Sequence, residues 1–192
     1  MLDSAQINTI FSQAGVLQTG HFILASGRHS DKYMQCARLF QYAPYSEALC
    51  RALAEKFASE KIDAVIGPAL GAIQMAYEVS RHLDCRNLFA ERVEGKMTLR
   101  RTFEINPGER VLVVEDTVTT GGSVKEVMAL VNEAGGTVAG IGCIVDRSGG
   151  NVDFGVPLMS VLSVPITSWE PENCPLCKQG IPAAKPGTKQ LK

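Results

Sequence analysis

The chain has 192 residues, 45% of them apolar, 20% charged and 6% aromatic, with 19 basic against 20 acidic side chains for a formal net charge of −1. That length suits a single domain of about 100–200 residues, and so even a charge excludes the broad basic excess that marks nucleic-acid or membrane-surface binders, so neither partner is expected. No apolar run approaches the roughly 18–20 residues that span a bilayer, and the first residues, with Asp3, Ser4, Gln6, Asn8 and Gln13, lack the charged-then-apolar order of a secretion signal, so a cytoplasmic location is expected.

In chain order, Ile7, Ile10 and Phe11 recur at helical spacing behind Asp3 or Ser4 as a cap, predicting a first helix over 3–14 that stops at Gly15. Two strand-like runs, 20–27 and 31–35, flank a polar turn. From Pro44 to about Glu60, Leu49, Leu53 and Phe57 recur every four residues, as in an amphipathic helix with Pro44 near its start. The pattern then alternates: a strand at 64–66, a helix at 72–83, a strand at 87–90, a buried strand at 110–114, a helix at 123–133 stopped by Gly135-Gly136, and strands at 137–145 and 158–164. Strand, helix and strand in units of about 30 residues mean parallel crossovers, so the fold class is α/β: a parallel sheet flanked by helices. The prolines at 171, 175, 182 and 186 argue against any further element, and residues 178–192 read as a loose basic arm.

Six cysteines are scattered, and Cys36, Cys50, Cys85 and Cys143 read as small hydrophobes. Cys174-Pro-Leu-Cys177 has zinc or redox spacing. With no second such pair nearby and His21, His29 and His82 isolated, a reduced pair in a surface tail is expected, with zinc and redox chemistry as the alternatives.

Chemistry concentrates in residues 111–123. A buried strand delivers Glu115 and Asp116 at its C-terminal end, followed by hydroxyl-bearing Thr117, Thr119, Thr120 and Ser123 around Gly121 and Gly122, and then a helix N-terminus. Ligands of open α/β sheets sit at that edge, and the glycines let backbone N–H groups approach an anion closely. This is a phosphate cradle, but no Lys follows the glycines as in a Walker A loop, and the dinucleotide turn is absent. Carboxylates beside a phosphate require hydroxyl groups or a hard cation between them, and a sugar phosphate supplies the first. Arg147 ends the next strand at the same edge. Its planar fork suits a carboxylate, although a strand-end arginine is equally compatible with plain solvation. Residues 91–101 hold Arg92, Lys96, Arg100 and Arg101 against Glu91 and Glu94, a net +2 around Gly95 with no helix or strand period. They read as a solvated loop or a mobile lid.

Residues 111–123 resemble the phosphoribosyl-pyrophosphate signature of the type I phosphoribosyltransferases. The order of segments up to Val164 resembles the branch of that family that uses orotate. Ser26-Gly-Arg-His-Ser30 with Tyr33 is similar to that branch's SGxxS segment, Gly67-Pro-Ala-Leu-Gly71 to its pyrophosphate loop, and Asp146-Arg147 to its orotate-contacting arginine. The resemblance implies a hood over residues 1–40, a core over 41–170 and a tail over 171–192. It implies Mg²⁺-dependent transfer of ribose 5-phosphate from 5-phosphoribosyl 1-pyrophosphate to orotate in pyrimidine biosynthesis, with a purine phosphoribosyltransferase or a non-catalytic sensor of the pyrophosphate sugar as alternatives. Lys96, Arg92 and Asp116 would be catalytic. The donor would meet Glu115, Asp116, Thr117, Val118, Thr119, Thr120, Gly121, Gly122, Ser123, Arg92 and Lys96. Orotate would meet Thr119, Arg147, Tyr33 and Ser26, and pyrophosphate would meet Ala69, Leu70 and Gly71. Mg²⁺ would be held mainly by substrate, with Asp116 a possible ligand. A homodimer is implied, with the lid at 91–101 reaching the neighbouring site. The family pattern is departed from at Ala25, at Leu70-Gly71 and in a lid without histidine, which implies a divergent bacterial-type branch.

Overall fold

A computed structural model describes residues 2–24, 26–164 and 167–186; Ala25 and residues 187–192 of the basic arm lie outside them. The first helix, α1 (Ser4–Gln13), starts on a capping box in which the Asp3 carboxylate accepts from the Gln6 N–H and the Gln6 side chain accepts from the Asp3 N–H. β1 (Leu17–Ile23) and β2 (His29–Met34) form an antiparallel hairpin separate from the main sheet. In α2 (Ala43–Ala54) Pro44 sits in the first turn, where no N–H is needed. The helix ends six residues before the sequence pattern suggests, and a 3₁₀ turn over Glu55–Phe57 carries Phe57 into the core.

The remaining elements follow the alternation: β3 (Ala64–Pro68), α3 (Ile73–Leu83), β4 (Arg86–Val93), β5 (Lys96–Leu99), β6 (Arg110–Val118), α4 (Gly122–Glu133), β7 (Thr137–Asp146) and β8 (Leu158–Ser163). They build one sheet in the order β5-β4-β3-β6-β7-β8, parallel except for β5. Period-two alternation divides the core. Val65, Leu112, Val114 and Ile144 face α1, α2 and α3, whereas Ala64, Ile66, Val111, Val113 and Cys143 face α4. All nine are fully buried. Removing one such side chain, as in Leu112→Ala, costs about 2–5 kcal/mol.

Three expectations are corrected. Residues 91–101 are not an irregular loop: β4 and β5 pair through a two-residue turn in which Glu94 (φ 51°) and Gly95 (φ 83°) both adopt positive φ, the geometry that matches strand twist. β6 does not stop before the acidic pair, because its ladder with β7 continues from Glu115↔Cys143 to Val118↔Asp146. Nor does the chain lack a further element after Pro171, and the described part of the arm, up to residue 186, is not loose. A short helix, α5 (Pro175–Lys178), forms, and strand-like pairs join Trp169 to His29 and Ala184 to Phe22. Four backbone hydrogen bonds of 2.8 Å secure those two pairs.

Candidate active site

Chain order reverses between β3 and β6, so their C-terminal ends open on a crevice, the usual ligand position in such sheets. Two cavities meet there. One, of about 310 Å³, is lined by Arg92, Glu115, Thr117 to Ser123, Val124 and Glu126. The other, of about 520 Å³, is walled by Ser26, Tyr33, Cys36, Asp116 and Arg147, with Leu24, Met34 and Gln35 completing the hood side. Thr117, Thr119 and Thr120 border both.

The first cavity has the build of a phosphate site. Gly121 is the N-cap of α4, so no side chain occupies the helix's first N–H groups. Its φ of +75° and the Phe154 ring leave room for no side chain, since an added Cβ would lie 2.7 Å from that ring. Thr117 contributes differently from the other threonines: its hydroxyl donates to the buried Cys36 sulfur at 3.1 Å, tying the strand to the core. Burial pushes the Cys36 thiol up to about 12, so it acts as an inert apolar group.

Between the cavities stand the two acids. Burial first, and then the neighbouring Asp116, push Glu115 up to about 8, and Asp116 is also raised by burial. The pair therefore carries less than two negative charges until a cation or hydrogen-bond donors arrive. The pyrophosphate-loop candidates Ala69, Leu70 and Gly71 follow β3 directly. Gly71 abuts Asp116, whose carboxylate would lie 3.5 Å from an added Cβ, and Leu70 is 85% exposed and lines neither cavity. Two adjacent carboxylates beside a phosphate site are the oxygen donors that Mg²⁺ combines with substrate phosphates, so the residues fit that ion.

In the second cavity the β6–β7 ladder, rather than a loop, positions Arg147, whose N–H donates to the Val118 carbonyl at 2.8 Å. The Arg147 Nε is buried without a hydrogen-bond partner among the described residues. Burial pulls its guanidinium below the usual range, and Tyr33 and Cys36 are its electrostatic neighbours. Tyr33 donates to Gln35 Oε1 at 2.9 Å and packs 5.7 Å from the Phe22 ring. A half-buried cation with an unpartnered Nε facing an open cavity is an anion seat, since an incoming carboxylate supplies the partner that its desolvated part lacks.

The cations of residues 91–101 divide. Arg92 lines the first cavity but is bound to Glu126 and to the Gly95 carbonyl. Lys96 lines neither cavity. It borders a separate hollow with Glu126 and Glu133 on the outer side of α4. Sequence reasoning missed Leu24, Met34, Gln35 and Cys36 as lining residues, and Glu126 as the partner of Arg92. Gln35 carried a usable signal, standing two residues after Tyr33, one step past the end of β2.

Residues 40–155 match the phosphoribosyl transferase domain. The chain is 57% identical to the orotate phosphoribosyltransferase of Caldanaerobacter subterraneus subsp. tengcongensis, over 99% of this chain and all of that protein. It is 58% identical to the enzyme of that name from Pelotomaculum thermopropionicum, over 97% and 98%. The crystal structure of orotate phosphoribosyltransferase from Aeropyrum pernix superimposes with a TM-score of 0.70 at 25% identity, covering 82% of this chain and 93% of the other. On these likenesses the chain belongs to the orotate phosphoribosyltransferases of the phosphoribosyl transferase family.

Proposed function

We propose that the protein transfers ribose 5-phosphate from 5-phosphoribosyl 1-pyrophosphate to N1 of orotate, giving orotidine 5′-monophosphate and pyrophosphate for pyrimidine biosynthesis. The observation that carries the choice of base is Arg147, a half-buried guanidinium whose Nε is buried and without a partner among the described residues, in a cavity that runs on to Asp116 and the threonine cradle. Orotate brings a carboxylate to that seat, and adenine, guanine and uracil bring none.

The 5-phosphate sits on the N-terminus of α4, held by Thr119, Thr120, Gly121, Gly122 and Ser123, with Thr117 and Val118 supplying backbone. Glu115 and Asp116 accept hydrogen bonds from the ribose hydroxyls, which fixes C1′ between the two cavities. Arg147 fixes the orotate carboxylate, and Thr119, Ser26 and Tyr33 complete the base seat, so that N1 faces C1′. The N1–C1′ bond forms as the bond to pyrophosphate breaks. No protein nucleophile takes part, and the gain comes from positioning and from stabilising the departing charge. Ala69, Leu70 and Gly71 receive pyrophosphate. Mg²⁺, when bound, would neutralise pyrophosphate charge and be held mainly by the substrate, with Asp116 as the one protein oxygen donor.

The working unit is a cytoplasmic homodimer. Lys96 lies away from the cavities of its own chain, which accords with a β4–β5 lid whose tip serves the neighbouring site, whereas Arg92 lines the first cavity of its own chain. Incubation with 5-phosphoribosyl 1-pyrophosphate and Mg²⁺, with orotate, uracil, hypoxanthine, guanine and adenine offered separately, tests the reading. Nucleotide is expected from orotate alone. Turnover of a purine instead would make this a purine phosphoribosyltransferase, and turnover of no base would favour a sensor.

A further inference from the structure

Far apart in sequence, His21, His29, Cys174 and Cys177 bring their ligand atoms within 4.8 Å of one another. The strand-like pairs of the C-terminal segment deliver them: Trp169 and Ala184 dock on the β1–β2 hairpin, and α5 between them presents both cysteines to the two histidines. His21 and His29, isolated in sequence, are thus the missing partners of the CPLC pair. We propose that these four residues bind a zinc ion that staples the C-terminal segment to the hairpin.

The spacing fits. Tetrahedral coordination at about 2.0–2.1 Å to nitrogen and about 2.3 Å to sulfur sets ligand-to-ligand edges of roughly 3.3–3.8 Å. Cys174 Sγ and Cys177 Sγ lie 3.5 and 3.7 Å from His21 Nε2, inside that range, while the 3.2 Å from Cys177 Sγ to His29 Nδ1 and the 2.9 Å between the two ring nitrogens are shorter and require the His29 ring to move outward by a few tenths of an ångström when the ion enters. The chemistry of His21 argues for a cation over a hydrogen-bonded cluster. Its Nδ1 lies 2.6 Å from the Ile181 carbonyl, which only accepts, so Nδ1 carries the proton. In the neutral ring, Nε2 then has one lone pair, yet His29 and both thiols converge on it. One lone pair cannot satisfy three neighbours, whereas a metal at their centre satisfies all four ligands. The Ile181 contact is also the outer-shell bond that metal-bound imidazoles commonly make.

Charge and burial agree. Two thiolates, two neutral imidazoles and Zn²⁺ sum to zero, which suits a site where His21, His29 and Cys174 are buried. Nitrogen and sulfur donors in this number select zinc over Mg²⁺ or Ca²⁺, and four protein ligands leave no open position, so the ion is structural. Binding displaces one proton from each thiol. The staple holds the hairpin that presents Tyr33 and, at its loop, Ser26, but the argument for it does not depend on the transferase activity.

The test is metal analysis of the full-length protein after dialysis. One zinc per chain is expected in the wild type and in Cys85→Ser, a thiol outside the cluster, and less than about a tenth of that in Cys174→Ser/Cys177→Ser. In case that double variant does not fold, two measurements use the wild-type chain. Cobalt reconstitution should give the strong visible bands of a tetrahedral site with thiolate charge transfer, and a mercurial should release zinc in proportion to the two thiols blocked. Metal-free wild type with both thiols free, a Cys174–Cys177 disulfide in protein purified without air, or zinc retained by the double variant would each overturn the proposal.

Discussion

The proposed phosphate cradle and the proposed base seat share one crevice but are built in opposite ways. The cradle is a contiguous run from Glu115 to Ser123, and one strand, one turn and one helix place every part of it. The base seat is assembled from the hairpin loop, β2 and the end of β7, with Arg147 more than a hundred residues from Ser26 and Tyr33. The C-terminal segment braces it. Arg28 donates to Ser168 Oγ at 2.8 Å and to its carbonyl at 2.7 Å, and Ser30 donates to the Thr167 carbonyl at 2.8 Å. A contiguous site inherits its geometry from local structure, whereas a dispersed one depends on what holds its pieces together.

The largest expected effect tests the base seat itself. Arg147→Ala should lower kcat/KM for orotate by about 10²–10³-fold, the loss of roughly 3–4 kcal/mol of charged contact, while leaving the melting temperature unchanged. Wild-type turnover would remove the orotate assignment. Lys96→Ala should be comparably inactive, and mixing it with Arg147→Ala under conditions of subunit exchange should restore activity that neither variant has alone, because a mixed dimer keeps one complete site. No restoration would place Lys96 outside the neighbouring site.

On the cradle side, Gly121→Val forces a β-branched residue into positive φ and against Phe154. Strain of about 1–3 kcal/mol should raise KM for the pyrophosphate sugar by roughly 5–150-fold, with a smaller change for orotate. Equal effects on both substrates would mean that the two halves are not independent.

The same contrast explains what was legible in the sequence. The α/β alternation, the acidic pair, the cradle and Arg147 were readable because each rests on local periodicity or on a strand end. The β4–β5 hairpin was not, because Glu-Gly is a weaker turn signal than Asn-Gly, although Met97 and Leu99 alternate with Lys96 and Thr98 as a strand requires. His21 and His29 looked isolated for a different reason. Their cysteine partners lie about 150 residues away, and only the docking of the C-terminal segment on β1 and β2 joins them. Such a join leaves no trace in local spacing.

A milder probe of the cradle is pH. The folded chain holds the Glu115 proton far more tightly than the unfolded chain, with its carboxyl at about 8 against an ordinary 4.5. This group's contribution to ligand-free stability is therefore complete below about 4.5 and declines as pH rises to about 8. Glu115→Gln should remove that decline in thermal melts between those values and leave the molecule more stable at the upper end, at the expense of activity. An unchanged pH slope would show that Glu115 titrates normally.

The smallest effect separates bracing from binding on the hood side. Arg28 is partly exposed, so its ion pair with Glu170 adds little against solvent screening, and its firm contacts are those to Ser168. Arg28→Ala should therefore lower stability by only about 1 kcal/mol, a shift of roughly 2–4 °C in Tm. Arg28 lines neither cavity, so an effect on catalysis can reach the base only through the hairpin. That route predicts a rise in KM for orotate with KM for the pyrophosphate sugar unchanged, because α4 and the β6 end do not depend on the C-terminal segment. If both KM values rose together, the bracing would extend through the whole crevice, and the division between a self-contained cradle and an externally held base seat would fail.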